Sequence, residues 1–267
     1  MATEPRRVHF VAVSESIVLT LWPFLVLLAA LAGDAEQDYR RGVALFQQGK
    51  PIEALQALEA AVKSRPKFAE AWKVMGVVYA AQGDYPMAEP VFEKACRLAP
   101  KLEDACFYHG RVLYLLNRFD DALAILKPLS KSDPRAHRII ALCLDGLGRW
   151  PEAEAAYRQA IRHDPGGEDP RIDYGVALVR QGEARQALSY LREAEKADRQ
   201  PARASLELGR ALVQLDRLQE ALPYLQKCVS LEPQSASGHL LLGRVYLRLG
   251  MPDRAKVHLE LGARAIR

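Results

Sequence analysis

An all-α chain of repeated helix pairs is predicted by three observations. A 34-residue period runs from about Ala35 to the C-terminus, apolar residues recur three or four apart within it, and Gly, Ala and Pro return at fixed places. Self-similarity at this spacing marks a stack of one supersecondary unit, each copy burying its apolar face against the next. The reading divides the chain into residues 1–33 and a repeat region 34–267, with units at about 35–68, 69–102, 103–133, 134–167, 168–201, 202–235 and 236–267.

The N-terminal element is an apolar helix. Ile17 to Gly33 carries no charge and fits no repeat, while Arg6 and Arg7 precede it and Asp34, Glu36 and Asp38 follow. That asymmetry predicts a cytoplasmic N-terminus and exported repeats, on the periplasmic or extracellular side. Ala30-Leu31-Ala32 ahead of Gly33 has the small-x-small form of a signal cleavage site, and Pro23 interrupts the run. A cleaved signal is the first reading. A retained anchor through residues 17–33 is the second, since about 17 residues is the lower edge of a membrane span; an extra buried helix is the third. Asp34 stands where a lipoprotein signal requires Cys, which argues against a lipid anchor.

Each unit then reads as two helices of about three turns. The eighth place, in the first helix, holds Gly42, Gly76, Gly110, Ala141, Gly175, Gly209 and Gly243. The twentieth, in the second, holds Ala54, Ala88, Ala122, Ala153, Ala187, Ala221 and Ala255. Where two helices cross, a side chain beyond a methyl would hold the backbones apart, so these places permit close contact. The large residue at the twenty-fourth place (Leu58, Phe92, Leu126, Tyr157, Leu191, Leu225, Leu259) is expected to fill the space beside the crossing. Gly49, Gly83, Gly148, Gly182 and Gly250 mark the inter-helix turn, where positive φ is needed, and Asn117 and Asp216 replace Gly in two units. Pro66, Pro100, Pro134, Pro165 and Pro233 close units. Two irregularities stand out. The third unit is three residues short, which predicts a tightened turn after Leu129, and the fifth has Arg199 where a closing proline belongs, with Pro201 two places later.

In the unit 69–102, Trp72, Met75, Gly76, Tyr79, Gly83, Ala88, Phe92, Ala95 and Pro100 together resemble the tetratricopeptide repeat family. The resemblance extends from Ala35 to Arg267 and implies a right-handed superhelical solenoid whose inner wall is lined by the first helix of each unit. Groove positions then fall at the second, fifth, sixth, ninth, twelfth and thirteenth places. They hold Tyr39, Phe46, Lys73, Phe107, Tyr108, Arg111 and Tyr114 early in the chain. Later they hold Arg138, Arg180, Arg210, Arg244 and Arg248, with Asp145, Asp173 and Glu207 between them. Rigid aromatics and guanidinium groups suit an extended or helical peptide, the latter through paired hydrogen bonds to carboxylates. The competing reading is an ordinary solvated helix face, with some aromatics completing inter-repeat packing, least so for Phe107, Tyr108, Arg111 and Tyr114 on one helix. Two binding modes of the family fit poorly. A grip on a chaperone's C-terminal carboxylate finds Lys73 and Arg135, but Val77, Tyr108 and Ile139 at its other places; an asparagine ladder finds only Asn117, in a turn.

Other chemistries are disfavoured. A formal charge of +4 over 267 residues, without a basic block, gives no nucleic-acid footprint. The six histidines form no metal-binding pair, and no phosphate loop or nucleophile–base signature occurs, so neither cofactor, metal nor enzymatic activity is expected. Cys96, Cys106, Cys143 and Cys228 lack metal-ligand spacing and read as small buried hydrophobes, although Cys96 and Cys106 flank one turn and an oxidising compartment would favour their pairing. The expected function is a non-enzymatic interaction scaffold for protein or peptide partners in the cell envelope. The alternatives are a membrane-anchored assembly or secretion accessory factor, and a regulatory module for an enzyme on another chain.

Overall fold

A computed structural model describes residues 35–100, 103–163 and 169–266. Among these residues are fourteen helices and no strand. They are α1 (35–47), α2 (Pro51–Ser64), α3 (Ala69–Ala81), α4 (Tyr85–Leu98), α5 (Glu103–Leu115), α6 (Phe119–Leu129) and α7 (Ala136–Gly146). There follow α8 (Trp150–His163), α9 (Pro170–Arg180), α10 (Ala184–Ala197), α11 (Pro201–Gln214), α12 (Leu218–Leu231), α13 (Ala236–Arg248) and α14 (Pro252–Arg264). The apolar helix expected over residues 17–33 lies outside the described residues. Among the described helices none is long and apolar enough to cross a membrane.

The chain divides into two compact units, one ending at Ala105 and one from Cys106 to Arg267. In the first, α3 packs on α4 as a hairpin and on the preceding α2. In the second, α7/α8, α9/α10, α11/α12 and α13/α14 are hairpins, and each second helix also packs on the first helix of the next pair. First helices touch in sequence, α7 with α9, α9 with α11, and α11 with α13.

The crossing is tighter than the pattern alone suggests. A Cβ built on Gly42, Gly76, Gly110, Gly175, Gly209 or Gly243 would lie 2.4–2.7 Å from a side-chain carbon of the twenty-fourth-place residue. That large side chain therefore occupies the glycine's missing side-chain position instead of lying beside the crossing. The seven alanines of the twentieth place are all fully buried. The fourth pair instead has Ala141 and Tyr157, both buried, and the Tyr157 hydroxyl donates to Asp145 Oδ2 at 3.2 Å.

At the inter-helix turns, Gly49, Gly83, Gly148, Gly182 and Gly250 have φ between 69° and 85°, and Asn117 and Asp216 have 58° and 60°. No heavy atom lies within 4 Å of a Cβ built on any of these glycines, so backbone conformation selects Gly there and space does not.

The short third unit is built differently from the expectation. Its second helix, α6, ends after 11 residues where α4, α8, α10 and α12 have 14. The missing residues come out of the helix, and the connection after Leu129 is not tightened: it runs from Ser130 to Arg135. Buried Asp133 anchors it, accepting from the Arg135 backbone N–H at 3.0 Å and from that residue's guanidinium at 2.6 Å. At the other irregular place, α10 is capped by Asp198 in the left-handed region (φ 53°), and Pro201 begins α11 from its first turn, where a missing N–H does no harm.

Candidate functional site

In the second unit, places three, four and seven apart on successive first helices bring one face of each to a common cleft. It has a volume of about 270 Å³ and is lined by Arg111, Tyr114 and Leu115 of α5, Arg138, Ile139 and Leu142 of α7, Asp173, Val176 and Arg180 of α9, and Arg203 of α11. Its floor is apolar and its rim cationic.

Asp173 organises the centre. Its side chain is 3% exposed, and it accepts from Arg138 Nε (α7) on Oδ2 and from Arg203 Nη2 (α11) on Oδ1, each at 2.5 Å. One buried carboxylate thus joins three consecutive first helices. Arg203 Nη1 also donates to Gln200 Oε1 at 3.1 Å. Arg180 pairs with Asp145, which Tyr157 reaches from below. Burial first, then the charge of Asp145, pushes the Tyr157 phenol well above its ordinary value, so it stays a donor. Burial and then Asp173 push Tyr114 up likewise.

A second cleft, of about 690 Å³, shares Arg138 and Arg203 with the first and continues over Arg199, Gln200, Pro201, Ala202, Leu231 and Glu232. It sits on the irregular junction after α10. Taken together, the clefts and the Asp145 beneath hold five guanidinium groups and three carboxylates, beside exposed Leu115 and Leu231.

The residues singled out from the sequence divide accordingly. Arg111, Tyr114 and Arg138 meet in the cleft. Phe107 does not face a groove: it is 7% exposed, lies under the Arg135 guanidinium at 4.4 Å, and packs edge-on against Tyr108 at 5.6 Å. An aromatic at its place completes packing. Tyr108 is half-buried and lines neither cleft. Lys73, in the first unit, lies 3.9 Å from Asp104. Arg210 lies 3.5 Å from Glu207, Arg248 pairs with Asp216 at 2.5 Å, and Arg244 is exposed. In the first unit, Tyr39 and Phe68 (5.0 Å apart) line a separate cleft of about 420 Å³ with Glu36, Arg65, Lys67 and Glu70.

Arg199, Gln200 and Arg203 were missed. Arg203 stands at the second place of its unit, a groove place, and the absent closing proline at Arg199 was the signal for the junction. Glu207 repeats the place of Asp173 one unit later, but Ile172 and Ser237 stand where Arg138 and Arg203 would be. It is buried, Oε2 has no hydrogen bond, and burial raises its carboxyl despite Arg210 and Arg203. Cys96 and Cys106 are disulfide-bonded, contrary to the free thiols expected, whereas Cys143 and Cys228 are free and buried. Burial pushes the Cys143 thiol up to about 12, which makes it inert near neutral pH.

Residues 29–239 match the family described as the cilia and flagella-associated protein 70 C-terminal domain, and residues 236–260 match the tetratricopeptide repeat. Superkiller complex protein 3 of Mus musculus is 31% identical over 96 residues, 36% of this chain and 6% of that protein. BBSome complex member BBS4 of Bos taurus is 27% identical over 128 residues (47% and 25%), and Hsp70-Hsp90 organizing protein 1 of Glycine max is 29% identical over 118 (44% and 20%). The matched stretch thus spans a quarter or less of each of these relatives. Among solved structures, a tetratricopeptide repeat protein from Parabacteroides merdae superposes with a TM-score of 0.70 at 14% identity, over 87% of this chain and 93% of that one, a likeness of fold alone. MamA (41-end) from Desulfovibrio magneticus RS-1 gives 0.57 at 25% identity, over 62% and 96%.

Proposed function

We propose, for a chain that belongs to the tetratricopeptide-repeat family of the cilia and flagella-associated protein 70 C-terminal domain, a function as a non-enzymatic scaffold that seats partner protein segments in the second unit's paired clefts. The observation that carries this reading is the convergence of arginines with exposed Leu115 and Leu231 on two adjoining clefts. Asp173 has two oxygens, and each is already taken by one arginine. The exposed guanidinium of Arg180 and the partly exposed one of Arg203 suit carboxylates supplied by an extended acidic segment, and Leu115, Tyr114 and Leu231 suit an apolar residue between them. A relative named for organising two chaperones and another named as a member of a multiprotein complex agree with a scaffold role.

The test is Arg111→Glu combined with Tyr114→Ala. Arg111 is exposed on the cleft rim, and Tyr114 lines the same cleft. Recovery of native partners should fall by more than about tenfold, as for loss of a hot spot. Arg185→Glu, exposed on the second helix α10, should leave recovery unchanged. Equal recovery by the double variant and the wild type would place binding elsewhere.

The proposed location is the exported side of the cell envelope, with the N-terminus in the cytoplasm. It is supported by the charge asymmetry around residues 17–33 and by disulfide-bonded Cys96 and Cys106, since such bonds persist in oxidising compartments. A reporter active only outside the cytoplasm, fused after Arg267, should be active; activity of a cytoplasm-only reporter at that junction would overturn the topology. Retention in washed membranes would favour the anchored accessory factor, and N-terminal sequencing would locate cleavage after Ala32.

A further inference from the structure

The hairpin α13/α14 is closed by two histidines. His239 of α13 is buried; its Nδ1 lies 2.9 Å from Nδ1 of His258 on α14, and its Nε2 lies 3.1 Å from the Pro233 carbonyl. A carbonyl only accepts, so the His239 proton belongs on Nε2, and Nδ1 of the neutral ring is an acceptor. His258 then donates through its Nδ1. One proton added to the pair is accommodated, because His258 can carry its own proton on Nε2 and accept through Nδ1; a second added proton makes both Nδ1 atoms N–H donors, face to face at hydrogen-bonding distance.

The groups in direct contact with the two rings are not anionic, and the nearest carboxylate to His239 along the chain is Glu232, next to Pro233. The two rings stack at 5.2 Å and Tyr246 stacks on His258 at 5.6 Å. The Tyr246 hydroxyl accepts from Gln226 of α12 at 2.9 Å, and the Arg254 guanidinium of α14 lies 5.9 Å from the Tyr246 ring. These neighbours are neutral or cationic. α14 is also held from one side only, that of α13. It packs chiefly on α13, its buried residues are Ala255 and Gly262, and Val257 and Leu261 point to solvent.

We propose that the His239–His258 contact is an acid-operated latch: charging both rings of the pair turns a hydrogen bond into a repulsion, α14 loosens from α13, and the apolar face of α13 around Leu242 and Tyr246 is uncovered. Burial first, and then the His239 charge, already holds His258 below its ordinary value of 6.5. The folded hairpin therefore binds protons less readily than the unfolded one. Its stabilisation is complete above that ordinary value and is lost as the pH falls toward and through the lower folded value.

Hydrogen exchange of the full chain, followed by mass spectrometry at about pH 7.5 and about pH 5, tests this after correction for the chemical exchange rate. Amide protection in α14, relative to α11, should fall at least about tenfold at the acid pH, the factor carried by a tenfold difference in proton affinity. His258→Gln, whose neutral amide can still donate to His239 Nδ1, should keep its protection. Unchanged protection in the wild type, or the same acid loss in His258→Gln, would overturn the latch. If His258→Gln disorders α14 at neutral pH, an NMR titration of the wild-type imidazoles decides instead. Two coupled steps, with His258 below 6.5, support the latch; independent titration of both rings at ordinary values overturns it.

Discussion

Gly76→Ala is expected to destabilise the first unit by about 1–3 kcal/mol, although glycine to alanine inside a helix ordinarily stabilises by about 0.5–1 kcal/mol. The sign reverses because the new Cβ would lie 2.7–2.8 Å from three ring carbons of Phe92. That ring is 1% exposed and has no solvent to retreat into. In a Phe92→Ala background, which empties the space the new methyl enters, Gly76→Ala should cost less than it does alone, a coupling that a double-mutant cycle reads directly. Gly83→Ala is the comparator. Nothing lies near its Cβ, but φ is 77°, so it should lose about 1–2 kcal/mol through the backbone alone, with no such coupling to Phe92→Ala. A Gly76→Ala melt, followed by far-UV circular dichroism, at or above the wild-type temperature would contradict the packing account.

Asp173→Ala should have an effect of about 3 kcal/mol on the second unit. Removing one partner of a buried ion pair leaves uncompensated charge, here on both Arg138 and Arg203. The lower end of the usual range applies because Arg203 is 39% exposed and water can take up part of its charge. Denaturant unfolding measures the loss, and Asp173→Ala with Arg138→Met should recover part of it. A single variant within about 0.5 kcal/mol of wild type would mean that the clamp does not hold the three helices together.

The fold was legible because its signals are local and repeated. Glycine at the eighth place and alanine at the twentieth report on one crossing seen many times, and Gly, Asn or Asp at each turn reports on positive φ. The cleft was legible only in part. Arg111, Tyr114 and Arg138 followed from helical spacing, but spacing does not tell a groove residue from a packing one, and Phe107 turned out to be core. Nor does it reveal ion pairing: the carboxylate of Asp173 serves two arginines 35 residues before and 30 residues after it in the chain. The shortened α6 and the left-handed Asp198 arise where the repeat breaks, and periodicity has least to say there. The pairing of His239 with His258 crosses a hairpin within a single unit and has no counterpart in the repeat pattern.

The central claim is that partners enter the cleft between the first helices of the second unit. A photo-reactive residue in place of Leu115, which lines the cleft and is 38% exposed, tests it most directly against the same residue in place of Ala155, exposed on the second helix α8. The account predicts partner adducts from position 115 that disappear with Arg111→Glu and Arg180→Glu and are displaced by a glutamate-rich peptide, and none from position 155. Adducts from position 155 alone, or adducts from position 115 indifferent to both charge reversals and to the peptide, would contradict it.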